Sequence, residues 1–186
     1  MNKKERDSKI MMLLNKFKVC SRNHLAWIAC RENSNPINVV NRVLKRMTVN
    51  GSITQIQRER DKPYLYMPNP TLIHPRSIKL DHYLKIVDFY VHTGCPPEFI
   101  PEPNWKSYKP DAYMKDRKNN NICVEVQITP ISTKKMQTKI DQFVSTHKKE
   151  HDARIMLLVS NQEYPKVKIP SSFKLIRIPL PVEPYT

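Results

Sequence analysis

The sequence predicts an α+β fold in two parts: an N-terminal module of three helices closed by a short hairpin, and a C-terminal part built on a mixed sheet. Three observations predict it. Between residues 4 and 47 the apolar positions recur three and four apart, the period of a helix face. Residues 69–77, which hold Pro70 and Pro75 just after Pro68, then punctuate the chain as a linker. Beyond them a helical pattern gives way to three strand-like runs, a second helical pattern and two further apolar runs.

In the first part, residues 1–68, Ile10, Leu13, Leu14 and Phe17 mark one face of a helix. Ser21 reads as the N-cap of a short second helix with Leu25, Ile28 and Ala29 on its buried side. A third helix is expected to start at Ser34, with Pro36 tolerated in its first turn. It runs through Ile37, Val40, Val43, Leu44 and Met47 to a stop at Asn50-Gly51. Ile53 and Ile56 then alternate with polar residues, Glu59 to Pro63 form a charged turn, and Tyr64 to Met67 form a second strand. Three helices and a hairpin in this order make a winged helix-turn-helix. Its third helix is the expected groove reader, with Asn35, Asn38, Asn41, Arg42, Lys45 and Arg46 as its polar supply, because Arg and Asn suit base edges and Lys suits phosphates. Arg58, Arg60 and Lys62 at the wing tip are expected to add salt-sensitive backbone contacts.

In the second part, residues 78–186, a helix from Ile78 to Thr93 places Leu80, Leu84, Val87 and Val91 on one side and ends at Gly94. Phe99-Ile100 is a short edge strand. A run opened by Asp111 and the run Ile122 to Ile128 pair as a hairpin across Asn119 to Asn121. Glu125 and Gln127, two apart, are expected on one face of the second of these strands. A helix from Ser132 to about residue 149 buries Met136, Ile140 and Phe143. Residues 154–160 form a nearly continuous apolar run, which reads as a strand buried on both faces and joined to 122–128 by a right-handed parallel crossover. Phe173 to Ile178 is the last strand.

Composition narrows the function. The chain of 186 residues carries a formal charge of +15. Residues 1–79 hold 16 Lys and Arg against 5 Asp and Glu, whereas residues 80–186 hold 16 against 12. A polyanion is the natural partner of such a field, and nucleic acid is the commonest. Gly51 and Gly94 are the two glycines, which excludes a phosphate-binding glycine loop or a dinucleotide fingerprint. Cys20, Cys30, Cys95 and Cys123 form no CxxC pair and are expected as small apolar core residues. With neither a signal peptide nor a membrane-length apolar run, the chain is expected to be soluble and cytoplasmic. His147 and His151, four apart, could hold Zn²⁺ on a helix face but are expected to be solvated. His24 is expected as a surface or cap residue.

The segment from Lys109 to Gln142 concentrates the chemistry. Asp111 and Glu125 would converge across the hairpin, and two carboxylates make a seat for a hard divalent cation. Glu125 lies between Val124 and Val126, where an unpaired buried charge is costly.

Pro110-Asp111, Glu125-Val126-Gln127 and the Lys-rich helix that follows resemble the PD-(D/E)XK nuclease superfamily. More narrowly, Pro110-Asp111-Ala112, Val124-Glu125-Val126-Gln127, Lys139 and Phe143 resemble the replication-relaxation proteins of plasmids and mobile elements, whose N-terminal layout is also similar. Glu125 to Ser132 is similar to competence-associated nucleases, in which Gln replaces the motif Lys. The resemblance implies a winged helix followed by a restriction-endonuclease-like α/β/α domain with a mixed central sheet. It further implies Mg²⁺ or Mn²⁺ held by Asp111 and Glu125, with the Val126 carbonyl and an additional acid. Glu102 is favoured for that acid, ahead of Glu98 and Asp88. Gln127 would stand where the family's Lys orients the attacking water, with Lys134, Lys135 or Lys139 reaching back from the helix, so the catalytic set is Asp111, Glu125, Gln127 and Lys139.

Two functions stay open: a metal-dependent endonuclease or nickase of plasmid, phage or mobile-element replication, and a non-catalytic DNA-binding regulator or accessory with a degenerate nuclease fold. Double-stranded DNA is the expected partner of both, with homodimerisation and replication or transfer proteins as further partners and no membrane. RNA ranks lower, because no aromatic stacking platform stands out in the sequence.

Overall fold

A computed structural model describes residues 2–58, 63–71, 73–74, 76–147 and 149–180. Among these the chain is α+β, with five helices, a three-stranded antiparallel sheet and a mixed five-stranded sheet. It divides into two compact units, one extending to Val91 and one beginning at His92.

The first unit opens with α1 (Lys3–Phe17). Asn2 accepts from the Glu5 N–H while the Glu5 carboxylate accepts from the Asn2 N–H, which satisfies two otherwise orphaned donors. Strand β1 (Cys20–Ser21) was not anticipated; at two residues it is too short to show a period. Ser21 caps α2 (Arg22–Cys30) as expected. The cap of α3 (Pro36–Val49) is Asn35 rather than Ser34, since the Asn35 carboxamide accepts from Asn38 N at 3.0 Å and Pro36 takes the first helical position. Gly51, at φ +73, turns the chain into β2 (Ile53–Ile56), which pairs with β3 (Leu65–Pro68) in the order β1-β3-β2.

Helix α4 (Lys79–His92), which the sequence assigned to the second domain, lies almost wholly in the first unit. Tyr90 meets Phe17 with ring centroids 5.0 Å apart, Tyr83 accepts from Lys18 Nζ at 3.3 Å, and Asp88 pairs with His24 at 2.7 Å. Its buried positions, among them Leu80, Tyr83, Ile86, Val87, Asp88 and Phe89, run round more than the single expected stripe, and Leu84 is only half-buried. A helix so widely apolar has no single preferred face, so its sequence could not say what it packs against.

The second unit is a sheet of order β4-β5-β6-β7-β8, from β4 (Phe99–Pro101), β5 (Ala112–Lys115), β6 (Asn121–Val126), β7 (Ile155–Val159) and β8 (Lys174–Ile178). The first three strands are antiparallel, and β6, β7 and β8 are parallel. Helix α5 (Thr133–Thr146) makes the crossover from β6 to β7. It stops at Thr146, earlier than expected, and its Met136, Ile140 and Phe143 form one core with Cys123 of β6 and Met156 and Leu158 of β7. Both faces of β7 are buried, as its unbroken apolar run foretold. Cys20, Cys30 and Cys123 are buried, and Cys95 is half-buried. No helix among the described residues is long and apolar enough to cross a membrane.

Candidate functional site

Alternation along β6 decides which side chains meet. Cys123 faces α5, so Glu125, two residues on, faces it too. Ala112 of β5 is paired with Val124 of β6, so Asp111, one position before Ala112, comes level with Glu125. On α5, Lys139 lies three residues after Met136 and four before Phe143, within the stripe that faces the sheet. These periods bring Asp111, Glu125 and Lys139 together.

Glu125 is 1 % exposed. Its Oε2 pairs with Lys139 Nζ, and its Oε1 accepts from the Tyr108 hydroxyl at 2.9 Å. Asp111 Oδ2 accepts a short bond, 2.6 Å, from the Val126 N–H. Burial is the largest influence on Glu125 and the Asp111 charge adds to it, raising the carboxyl from 4.5 to about 7 even though Lys139 and Tyr108 pull the other way. Burial pulls Lys139 down, but Glu125 and Asp111 outweigh it and hold the ammonium above its usual value. Both shifts have one origin. Two carboxylates face one cation, so the cluster resists losing a proton from either Glu125 or Lys139 and carries excess negative potential once both acids ionise.

Tyr108 was missed by the sequence. It is 2 % exposed, and burial followed by the Glu125 charge pushes its hydroxyl well above the usual range. It sits in the irregular segment before Asp111, where no period singles out a residue. Glu150, just beyond α5, holds that segment by accepting from Ser107 N at 2.8 Å and Tyr108 N at 3.4 Å.

The other expected site residues are placed differently. Gln127 lies past the end of β6, and its amide donates to the Thr129 carbonyl at 2.7 Å rather than turning to Glu125. Glu102 is exposed, with φ +43, and its N–H donates to the Asp111 carbonyl at 2.9 Å. Glu98 pairs with Lys115, and Asp88 is taken by His24 and Lys85 in the first unit. Among the described residues no three His, Cys, Asp or Glu side chains form a group that could hold a metal. Asp111 and Glu125 are the two acids that lie level here, and both Glu125 oxygens are already engaged, one by Lys139 and one by Tyr108. Lys134 and Lys135 are exposed on the first turn of α5.

The histidines differ from expectation. His151 is buried rather than solvated: its ring stacks on Phe143 at 5.2 Å and 2°, its Nδ1 accepts from Ala153 N, and its Nε2 donates to the Phe143 carbonyl. His147 is largely buried against Phe173. His24 is a cap residue as expected but lies inside, with Nδ1 accepting from Ser21 N and Nε2 facing Asp88.

On the first unit, Asn38, Asn41, Arg42 and Lys45 are exposed along one stripe of α3. Arg46 is directed elsewhere. It holds both oxygens of Asp7 on α1, at 2.5 and 2.6 Å, and so braces two helices. Arg58 pairs with Asp81 of α4 at 2.5 Å. Arg60 and Lys62 lie outside the described residues.

No protein-family model, curated protein or solved structure matches the chain.

Proposed function

We propose that the chain is a DNA-processing protein in which a winged-helix module grips duplex DNA and the second unit is a PD-(D/E)XK-like, divalent-metal-dependent endonuclease or nickase. The observation that carries this reading is the meeting of Asp111, Glu125 and Lys139 on one face of the sheet, with Glu125 displaced in pKa by burial and by a second acid. Strongly shifted carboxylates cluster at functional sites. A cation held by Asp111 and Glu125 would neutralise a scissile phosphate and lower the pKa of an attacking water.

The chain's own residues supply the rest. Tyr108 orients Glu125 through its hydroxyl, and the Val126 N–H orients Asp111. Lys139, kept charged by the two acids, takes the place of the motif lysine in Gln127's stead, where it can hold a phosphate oxygen or the water. Plasmid, phage or mobile-element DNA is the substrate class that the resemblance to replication-relaxation proteins implies. In the first unit, Asn38, Asn41, Arg42 and Lys45 would read the groove, while Arg46 acts as a brace.

A second reading, a DNA-binding accessory with an inert nuclease fold, is favoured by the Lys139 and Tyr108 partners that already occupy both Glu125 oxygens. The two readings separate in one assay. Supercoiled plasmid is incubated with Mg²⁺ or Mn²⁺ and with the wild type, Asp111→Ala, Glu125→Ala or Lys139→Ala, with DNA binding followed in parallel. The nuclease reading expects cutting by the wild type alone, with binding retained in all four. Binding without cleavage in either metal would sink it in favour of the accessory.

A further inference from the structure

The first unit carries an open groove of about 440 Å³, within the roughly 300–1,000 Å³ typical of small-ligand sites. The cross-strand pair Gln55 and Tyr66 lines it from the sheet, and Thr48, Val49 and the end of the duplex-reading stripe, Asn41 and Lys45, line it from α3. Tyr64 and Arg22 complete it where β3 meets the start of α2, held there by the bond from Arg22 N to the Tyr64 carbonyl at 3.1 Å. Arg22 uses its Nε on Asn23, and no acidic side chain is among the described residues that line the groove.

Three features identify the occupant. Lys45 and Arg22 give a positive field suited to a phosphate. Gln55 presents an amide that can pair with a base edge. Tyr64 is 39 % exposed and Val49 is 82 % exposed, so an aromatic and an aliphatic surface stand open to solvent beside those polar groups. In a stacked duplex the base faces are covered, and the only apolar surface offered in the major groove is the thymine methyl. An aromatic face beside two cations matches the stacking platforms that take unpaired bases. We infer that this groove binds an unpaired DNA nucleotide next to the duplex held by α3, so that the protein prefers a single-strand/duplex junction to a continuous duplex. The inference rests on the proposed duplex binding by α3, and it gives the first unit a substrate geometry rather than a sequence.

The test uses the full chain and four labelled probes: a blunt duplex, the same duplex with a three-nucleotide 5′ or 3′ DNA overhang, and the duplex with an RNA overhang. Fluorescence anisotropy is read for the wild type, Tyr64→Ala and Tyr64→Phe. Stacking of one base corresponds to a preference of about 5- to 150-fold for one DNA-overhang probe over the blunt duplex. Tyr64→Ala is expected to abolish that preference while leaving blunt-duplex affinity in place, and Tyr64→Phe is expected to keep it. Blunt-duplex affinity retained in Tyr64→Ala also shows that this half-exposed position has not cost the fold. Equal wild-type affinity for blunt and overhang probes overturns the groove assignment and leaves duplex binding standing. A preference that survives in Tyr64→Ala, or that appears only with the RNA overhang, overturns it as well. Failure to bind any probe overturns the duplex reading itself, and this inference with it.

Discussion

Among the described residues each unit buries one carboxylate against a neighbouring helix, and the two are held in opposite ways. Asp88 of α4 is 8 % exposed and meets His24 at 2.7 Å and Lys85 at 2.8 Å. Burial would raise its pKa, but the His24 and Lys85 bonds and charges outweigh burial and the carboxyl is lowered. Glu125 of β6 is also paired, with Lys139 and Tyr108, yet burial and the like charge of Asp111 raise it. Partners alone therefore do not set the direction of the shift. Local charge balance decides it: His24 and Lys85 favour the ionised form of Asp88, whereas Glu125 also meets the like charge of Asp111.

Neutralising each acid in turn is expected to separate stability from activity. Glu125→Gln removes the repulsion with Asp111 while keeping the shape, so we expect the second unit to be as stable as wild type or more so. Plasmid cutting should fall by more than about 100-fold, since even partners one step removed from a metal are worth about 10- to 100-fold. Asp88→Asn should do the reverse, destabilising the first unit and leaving the rate of cutting by folded protein unchanged. Thermal unfolding and a nicking assay on both variants check the pair, and an Asp88→Asn protein that folds normally but does not cut would contradict the contrast.

Next in size is His24→Ala. It strips a buried partner from Asp88 and a capping acceptor from Ser21 N, and loss of one member of a buried pair costs about 3–5 kcal/mol. Urea unfolding followed through α2 and α4 measures it. A loss below about 1 kcal/mol would mean that Lys85 alone satisfies Asp88.

The acids should also diverge with pH. Glu125 has a folded pKa raised above its ordinary 4.5, so its contribution to stability is fully present below about 4.5 and is lost as pH rises through about 7. Asp88, lowered from 3.8, contributes above its ordinary value and loses that contribution only as pH falls through its folded value. Hydrogen exchange of the β6 and β7 amides should therefore quicken between about pH 5 and 8 relative to Glu125→Gln, beyond the chemical rate. Matching profiles in the two proteins would remove Glu125 as the cause.

The smallest expected effect concerns Arg46, whose pair with Asp7 is about one-third exposed on each side. Arg46→Ala should cost roughly 0.5–1 kcal/mol of stability and leave DNA affinity nearly unchanged. Lys45→Ala should weaken duplex binding and flatten its salt dependence by about one unit of slope. Equal loss of affinity in both variants would return Arg46 to the reading face.

Much of this was legible in the chain. The 3.6 and 2 periods located the five helices and most strands to within a few residues, and β7 announced its burial through its composition. The alignment of Asp111 with Glu125 followed from hairpin geometry and alternation. Lys139 was singled out by the resemblance, with Lys134 and Lys135 as alternatives, and the orientation of α5 over the sheet is what pairs it with Glu125. Gln127 still donates its N–H to the Val159 carbonyl of β7 at 2.9 Å, but its side-chain amide turns to the Thr129 carbonyl, a local partner that strand alternation does not reveal.

By itself the sequence determined the local order: where helices cap, where strands alternate, and that positive charge accumulates in the first part. Those properties depend on near neighbours, which the chain spells out. Only the tertiary structure decided that α4 joins the first unit, that Arg46 turns to Asp7 rather than outward, and that Tyr108 rather than Gln127 completes the environment of Glu125. Each of these joins residues far apart in the chain, and a long polar or aromatic side chain can serve several partners until packing leaves one within reach.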